Sequence, residues 1–308
     1  MHRLSNRWAA TLPIFLRTPF PSTCVLRGAL FAVAVLATTL GFGARSSAAA
    51  DAVSEVRLYA LDCGHAEFKD MGFFSDTGEY DGKPGAVGMP CFVIRHPKGT
   101  LLWDTGIGDK IAESKAGVDN GGIHMTVPVT LAEQLKTLGL LPVDVTFMAF
   151  SHMHFDHTGN ANLFATGTTW LINQAELGFA NSKPTPMGIQ PEVFSAYKQA
   201  KTTMLTGDHD VFGDGSVRIL KAPGHTPGHQ VLFVKLKKAG VVVLSGDLWH
   251  QRASVKPHRV PVFNASRADT LASMDRIEKI LANTKGRLVV QHDLGDFKAL
   301  PKFPAYLQ

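Results

Sequence analysis

The sequence is poor in cysteine: Cys24, Cys63 and Cys91 are the only three among its 308 residues. No two of them form a C-x-x-C pair, which excludes the usual thiolate zinc site. Cys63 and Cys91 each lie in a predicted strand. An oxidising compartment permits a disulfide between them, and a pair of buried free thiols is the alternative that we expect.

An excess of positive charge is missing once the N-terminus is set aside. Of the 31 basic residues, five lie in residues 1–50, which contain no acidic residue, and the remaining 26 equal the 26 acidic residues. A near-neutral chain gives no indication of a basic surface for nucleic acid or of a polybasic patch for a membrane. We therefore expect no nucleic-acid partner, and a nuclease is the least favoured function.

Long apolar runs are also missing after residue 50, where no segment approaches the roughly 20 residues that cross a bilayer. Residues 1–50 themselves combine a basic start, an apolar run over 29–37 and the small residues Ala48, Ala49 and Ala50. This pattern is typical of a cleaved secretory signal, with an uncleaved anchor as the alternative. We expect residues 51–308 to form one domain, periplasmic or secreted, without a stable membrane anchor.

A serine nucleophile is not indicated, because no G-x-S-x-G elbow occurs. Instead, four side chains that can bind metal occupy six consecutive positions: His152, His154, Asp156 and His157. The apolar residues 145–150 before them predict a buried strand, and 158–160 after them form a turn sequence. The segment is therefore predicted at the end of a buried strand, where functional residues are common.

The spacing of this segment allows it to face two metal ions. On an extended backbone His152 and His154 share one side, Asp156 repeats the alternation, and His157 points elsewhere. Imidazole and carboxylate are the ligands that zinc takes when thiolates are absent. Three further candidates each follow a predicted strand: His225, Asp247 and His292. Seven side chains are too many for one ion and suit two.

The remaining pattern predicts a layered α/β domain. Strands are predicted over 56–61, 90–94, 100–103, 168–172, 217–220, 231–236, 241–244 and 287–291, and helices after the capping residues Thr130, Asn173 and Ser266. We expect 107–127 and 181–191 to be loops. Surface or loop positions are expected for His65, His96, His124, His209 and His258. Two roles are alternatives for the apolar side chains of a further set, packing in the core or lining an acyl pocket: Met71, Phe73, Phe74, Phe179, Met187 and Ile189.

Four motifs together resemble the metallo-β-lactamase superfamily over essentially residues 56–308: H-M-H-F-D-H (152–157), P-G-H-T-P-G-H (223–229), S-G-D (245–247) and Q-H-D (291–293). The stretches L-L-W-D-T-G (101–106) and P-C-F-V-I-R-H-P-K-G (90–99) resemble its N-acyl-homoserine lactonase branch. The resemblance implies an αββα sandwich: two mixed β-sheets face to face, helices outside, and the metal site at one sheet edge.

Residue by residue, the resemblance implies two Zn²⁺ ions per chain, with iron, manganese or cobalt as alternatives. One ion takes His152, His154 and His225. The other takes Asp156, His157 and His292, and Asp247 bridges the two. His229 would orient a ligand or loop, and Asp104 would support the metal-binding segment by hydrogen bonding. A homodimer is a further family-level expectation.

The resemblance also implies a hydrolase that opens a small-molecule lactone or related ester, with an N-acyl-homoserine lactone as the first expectation. A metal-bridging hydroxide attacks the carbonyl, and Asp156 passes a proton to the leaving oxygen. Alternatives are hydrolysis of a β-lactam, thioester, sulfate or phosphate ester, an iron-dependent redox enzyme, and a non-catalytic metal-binding protein. His250 stands where known lactonases have a tyrosine, and we hypothesise that it contacts the substrate or the oxyanion instead.

Overall fold

The computed structural model describes residues 52–308. The predicted signal peptide, residues 1–50, lies outside the described residues. Two β-sheets pack face to face with helices on their outer sides, as the αββα resemblance implied. No helix in residues 52–308 is long and apolar enough to span a membrane.

The first sheet has eight strands in the order β4-β5-β1-β2-β3-β6-β7-β8. Its strands are β1 (Arg57–Phe68), β2 (Gly85–His96), β3 (Gly99–Trp103), β4 (Val118–Asn120), β5 (Ile123–Thr126), β6 (Phe147–Ala149), β7 (Thr169–Asn173) and β8 (Lys201–Leu205). Strands β3, β6, β7 and β8 run parallel, and the other neighbours are antiparallel, so the sheet is mixed.

The second sheet has five strands in the order β13-β12-β11-β10-β9. They are β9 (His209–Asp210), β10 (Val217–Lys221), β11 (Gln230–Leu236), β12 (Gly240–Leu244) and β13 (Arg287–Val289). Only the pair β12 and β13 is parallel among these described strands.

Six α-helices accompany the sheets in the described chain: α1 (Leu131–Thr137), α2 (Phe155–Thr158), α3 (Gln174–Ala180), α4 (Arg252–Val255), α5 (Arg267–Thr284) and α6 (Leu294–Lys298). The predicted caps are confirmed for three of them. Thr130 forms a capping box with Glu133, and the side chains of Asn173 and Ser266 accept backbone N–H groups of α3 and α5.

The core lies on both faces of each sheet because side chains alternate along the strands. On β1, Leu58 and Ala60 point into the core between the sheets, whereas Tyr59 and Leu61 pack on the outer side. The helix α1 covers the outer side of the first sheet, and α5 covers that of the second. Burial on both faces explains why these strands read as nearly continuous apolar runs.

The loop prediction for 107–127 was wrong. This stretch contains a 3₁₀ turn over Asp109–Glu113 and the hairpin of β4 and β5. Strand β5 pairs with the second half of β1, which continues past a bulge to Phe68, well beyond the predicted end at residue 61. The strands β4 and β5 are short and mostly unburied, so their sequence lacks the apolar alternation that identifies a strand.

The surface prediction for His96 was also wrong. Its side chain is buried, stacks on the ring of Phe212 with 4.1 Å between centroids, and lies 2.8 Å from Asp214. It ends β2 and packs against the loop of 211–216 that precedes β10. The sequence around His96 contains no pattern that would distinguish a buried imidazole from an exposed one.

The two cysteines of the described chain form a disulfide, so the expectation of free thiols was wrong. Cys63 and Cys91 are both buried, and their Cα atoms lie 5.7 Å apart on the paired strands β1 and β2. That separation is within the range a disulfide bridges without moving the backbone. Both cysteines lie in strands, as predicted, but only the register of β1 against β2 brings the two side chains together.

We expect this disulfide to stabilise the fold substantially. Its ends are separated by 28 residues, and closing a loop of that size corresponds to about 3–4 kcal/mol in the chain-entropy account. Urea unfolding of the oxidised protein and of the same protein reduced while denatured measures the difference. A difference below about 1 kcal/mol would contradict the prediction.

Candidate metal centre

The metal-capable side chains meet because several strands end at one edge of the sandwich. The parallel strands β3 and β6 end just before Asp104 and Ser151. In the second sheet the parallel strands β12 and β13 end just before Asp247 and His292. Parallel neighbours present the same end at the same edge, so residues far apart in sequence converge here.

A close backbone contact fixes the turn after the metal-binding segment. Gly159 donates its N–H to the carbonyl of Gly106 at 2.8 Å. A Cβ on Gly159 would lie 2.4 Å from the backbone nitrogen of Gly108. Glycine is therefore required at position 159 for the two loops to pack against each other.

We call His152, His154, His225 and Asp247 the first group. Their donor atoms lie within 4.8 Å of one another. The nearest pairs are His152 Nε2 with His154 Nδ1 at 2.9 Å and His225 Nε2 with His154 Nδ1 at 3.2 Å. Asp247 Oδ2 is 3.6 Å from His152 Nε2 and 3.4 Å from His225 Nε2.

We call Asp156, His157 and His292 the second group, whose donor atoms also lie within 4.8 Å of one another. The Nε2 atoms of the two histidines are 3.2 Å apart, and Asp156 Oδ2 is 3.6 and 3.7 Å from them. Asp247 faces this group with its other oxygen, Oδ1, at 3.1 Å from His157 Nε2 and 2.9 Å from His292 Nε2. Asp247 thus has one oxygen toward each group.

These distances fit metal coordination. Four ligands at about 2.0–2.1 Å around a tetrahedral ion lie about 3.3 Å from one another. The donor pairs given above span 2.9–3.7 Å. Asp247 Oδ1 is buried and accepts no hydrogen bond of normal geometry from the described residues. A buried carboxylate oxygen facing imidazole nitrogens without such a bond fits a cation between them.

Burial sets the protonation of the first group. It lowers the pKa of His152 and His225 well below the usual value and that of His154 to about 4. These imidazoles are therefore neutral at pH 7, the form that binds metal. In the second group burial also lowers the pKa of His157, but the carboxylates of Asp247, Asp156 and Asp104 outweigh it and raise that pKa well above its usual value.

Hydrogen bonds fix the tautomers of the second group. His157 Nδ1 donates to Asp104 Oδ2 at 3.0 Å, and His292 Nδ1 donates to the carbonyl of Gly88 at 2.7 Å. When each ring is neutral, the form that binds metal, its Nε2 lone pair therefore faces the group. Such hydrogen bonds also hold the ring orientation of metal-binding histidines.

Two other side chains support the centre as the resemblance implied. Asp104 accepts the N–H of Ser151 at 2.6 Å and the amide of Gln291 at 2.9 Å, besides the His157 ring. His229 Nδ1 donates to a backbone carbonyl, and its Nε2 accepts the N–H of Asp247 at 2.9 Å. The two side chains therefore hold the metal-binding segment and the shared aspartate.

An apolar cavity of about 250 Å³ opens directly onto the centre. Asp156, Asp247, His250 and His292 lie at its polar end. Its walls are hydrophobic and include Phe68, Phe74, Val87, Met89, Met125 and Phe263. The arrangement places an apolar binding space beside a group of metal-capable side chains.

His250 lies between the cavity and the shared aspartate. It is buried, and its Nε2 is 3.0 Å from Asp247 Oδ2. Its ring is parallel to that of His292, with 5.6 Å between centroids, and contacts Phe74 and Phe263. The side chain is therefore held firmly at the boundary between the centre and the cavity.

Comparison of the chain with models of known protein families identifies its family. Residues 85–292 match the family model described as the metallo-beta-lactamase superfamily. The chain belongs to the metallo-β-lactamase superfamily. All seven metal-capable side chains lie within the matched region, with His292 as its last residue, and every described strand except β1 lies there too.

Curated relatives within this superfamily include N-acyl homoserine lactonases. AttM of Azorhizobium caulinodans is 28% identical over 272 residues, which cover 82% of this chain and 99% of the relative. AiiA of Bacillus thuringiensis subsp. kurstaki is 28% identical over 224 residues, covering 70% of this chain and 86% of the relative.

Solved structures show the same fold. A quorum-quenching N-acyl homoserine lactone lactonase superposes with a TM-score of 0.71 at 25% identity, covering 83% of this chain and 100% of that one. AidC, described as a dizinc quorum-quenching lactonase with N-hexanoyl-L-homoserine product, superposes with a TM-score of 0.61 at 20% identity, covering 82% and 90%.

In this superfamily member, the structure brings together all seven metal-capable residues that were predicted from the sequence. Their roles as ligands stay a prediction. One detail of their geometry was wrong. The extended alternation stops at His154, because α2 begins at Phe155 and carries Asp156 and His157 on a single helical turn. The backbone changes direction at this helical turn, and Asp156 and His157 both belong to the second group rather than the first.

Sequence reasoning missed two supporting residues and most of the cavity. Nothing in the local sequence distinguishes Glu176, and Gln291 stands out only as part of the Q-H-D motif, although each makes buried hydrogen bonds at the centre. Of the six apolar candidates, Phe73, Phe74 and Met187 line the cavity. Met71, Phe179 and Ile189 pack in the core instead.

Proposed function

We propose that the protein is a dinuclear-zinc hydrolase that opens the ring of a lactone, with N-acyl-homoserine lactones as the substrate class. The observation that carries the proposal is the pair of metal-capable groups sharing Asp247 at the polar end of an apolar cavity. A lactone head group fits the polar end and an acyl chain fits the walls. The names of the curated relatives support the same substrate class.

The residues present define what each would do. His152, His154 and His225 would hold one ion, Asp156, His157 and His292 the other, and Asp247 both. When bound, two zinc ions supply a nucleophile at neutral pH by lowering the pKa of water, and they polarise the substrate carbonyl.

Asp156 is the group that moves a proton in this proposal. Its side chain is 14% exposed and lines the cavity, so a bound substrate can reach it. The carbonyl carbon gains a bond to the attacking water oxygen, and the Asp156 carboxylate accepts the proton that this oxygen loses. The ring C–O bond breaks, and the leaving oxygen takes that proton from Asp156. The apolar walls exclude bulk water while this occurs.

The charge of the cavity favours a neutral substrate. Among the described residues that line it there is no lysine and no arginine. A phosphodiester, a sulfate ester or a β-lactam carboxylate is anionic, and apart from the proposed metal ions it would find no cationic partner in this apolar space, which is costly. A neutral lactone with an apolar tail carries no such cost.

A substrate panel tests the proposal. Zinc-loaded protein is assayed with acyl-homoserine lactones, a β-lactam, a thioester and a phosphodiester, and metal content is measured in protein purified without added metal. We expect turnover of the lactones. Turnover of another class with none of the lactones would overturn the substrate assignment, and iron in place of zinc would favour a redox enzyme.

We expect His250→Phe to lower kcat for lactone hydrolysis by about 10²-fold, the usual effect of removing one hydrogen-bond donor to a developing oxyanion. His250→Tyr keeps a donor and should retain most of the activity. Metal content distinguishes two roles, because His250 also faces Asp247 at 3.0 Å. Full metal content with reduced kcat supports substrate contact, and loss of metal indicates that His250 only orients Asp247.

Surface variant His258→Phe is the matched control for this substitution, since His258 lies outside the cavity and pairs with Glu278. It should leave kcat and KM unchanged. A wild-type rate in His250→Phe would remove the proposed contact.

We also propose that the protein works in the periplasm or outside the cell. The buried Cys63–Cys91 disulfide supports this location, because such bonds persist mainly in oxidising compartments. The signal-like composition of residues 1–50 supports it too. Fractionation with N-terminal sequencing is the test, and full-length protein in the cytoplasm would refute it. The homodimer stays a prediction.

A further inference from the structure

Glu176 is a buried carboxylate that the proposed reaction does not use. Its side chain is only 2% exposed, and it lies in the first turn of α3. This helix begins directly after β7, the neighbour of the strand β6 that leads into the metal-binding segment. A carboxylate in such a place is costly unless hydrogen bonds satisfy it.

The two oxygens of Glu176 bind two different loops. Oε1 accepts the backbone N–H of Met153 at 2.8 Å, and Oε2 accepts the backbone N–H of Gly228 at 3.1 Å. Met153 lies between His152 and His154. Gly228 follows His225 by three residues in the second loop. One side chain therefore connects the two loops that supply every histidine of the first group.

The contact with the second loop is tight. A Cβ placed on Gly228 would lie 2.2 Å from the backbone nitrogen of Glu176. Glycine at position 228 thus lets this loop lie directly on the start of α3. The capping side chain of Asn173, which accepts the N–H of Glu176, holds the helix start in turn.

We propose that Glu176 is a positioning residue for the first group, holding the loops of His154 and His225 at the separation at which they share one ion. The inference rests on the proposed two-ion function. Glu176 touches neither the substrate nor the ions and acts through the backbone of both loops. Its hydrogen bonds go to Met153 and Gly228 and to no residue of the second group.

Asp104 is the natural comparison, because it supports mainly the other side of the centre. It binds the ring of His157 and the side chain of Gln291, the residue before His292. Two buried carboxylates therefore support different groups: Asp104 supports mainly the second group and Glu176 the first.

The experiment compares zinc binding in Glu176→Gln, Asp104→Asn and the wild type. Glutamine keeps one acceptor oxygen but places an amide donor against a backbone N–H, which breaks one of the two links. We expect zinc affinity in the first group to fall about 10–100-fold, as is typical when a group that supports a ligand is lost. In crystals of Glu176→Gln at limiting zinc, zinc-edge anomalous diffraction should still show an ion near Asp156 and His292.

Asp104→Asn should show the reverse pattern, and Gln174→Ala, an exposed change on the same helix, should show neither. If Glu176→Gln does not fold, Glu176→Asp replaces it, because the shorter carboxylate reaches only one loop. Unchanged zinc binding in the Glu176 variants, or equal loss from both groups, would overturn the inference. Failure of the proposed function is distinct: the wild type itself would bind fewer than two ions or leave lactones intact.

Discussion

Replacing Asp247 by asparagine is expected to lower the rate of lactone hydrolysis by about 10³-fold or more, since the metal pair is worth several kcal/mol in the transition state. Asparagine has the same size as aspartate but no charge and only one oxygen. In the structure one Asp247 oxygen faces each group, at 2.9–3.1 Å in the second and 3.4–3.6 Å in the first.

The environment of Asp247 explains why the charge matters. Burial by itself would raise the pKa of this carboxyl, but His292, His157 and His152 around it outweigh that effect and lower the pKa well below its usual value. The group is therefore ionised at neutral pH and offers both oxygens. An amide in its place turns one donor toward imidazole nitrogens and removes a negative charge from between the two proposed cations.

The measurement is kcat/KM for a lactone together with bound zinc per chain. Asp275→Asn serves as the matched control, because its side chain is 60% exposed on α5, and it should behave as the wild type. Asp247→Asn protein with two bound zinc ions and more than about a tenth of wild-type activity would refute the role given to Asp247, since that loss is only about 1.4 kcal/mol.

Removal of metal with a strong chelator should abolish hydrolysis and lower the melting temperature. A ligand present at one hundred times its dissociation constant stabilises the folded state by about 2.7 kcal/mol. For a chain of this size that corresponds to about 5–10 °C. We expect this loss of stability because the buried histidines and carboxylates are left facing one another once the ions are gone.

Zinc should restore both activity and melting temperature, whereas Mg²⁺ should not, because it prefers octahedral oxygen ligands. On the same sample, calorimetry measures the melting temperature and the lactone assay measures the rate of hydrolysis. Full activity in protein stripped to a small fraction of an ion per chain would contradict the metal-dependent mechanism.

Which side chains come together could be predicted from the sequence because most of them are concentrated in one segment, and their roles as ligands stay a prediction. Four donors within six positions, His152 to His157, have no low-cost structural explanation, and the strand before them is strongly apolar. Asp247 and His292 could be added because each follows such a strand. Parallel strands then bring these ends together at one edge, as the structure shows.

The features that were not predictable depend on contacts between distant residues. Glu176 is recognisable only through Met153 and Gly228, which lie 23 and 52 residues away. The disulfide depends on the register of β1 against β2, and the edge hairpin depends on pairing with β1 rather than on its own composition. Local patterns carry none of this information.

The position of the hairpin of β4 and β5 has a consequence for how such an enzyme can change. It occupies the edge of the eight-stranded sheet, and its residues Ile123 and Met125 form part of the cavity wall. The chemical groups come instead from strand ends elsewhere in the two sheets. Selectivity for the tail of a substrate can therefore drift through substitutions in a peripheral ribbon while the reacting machinery stays intact.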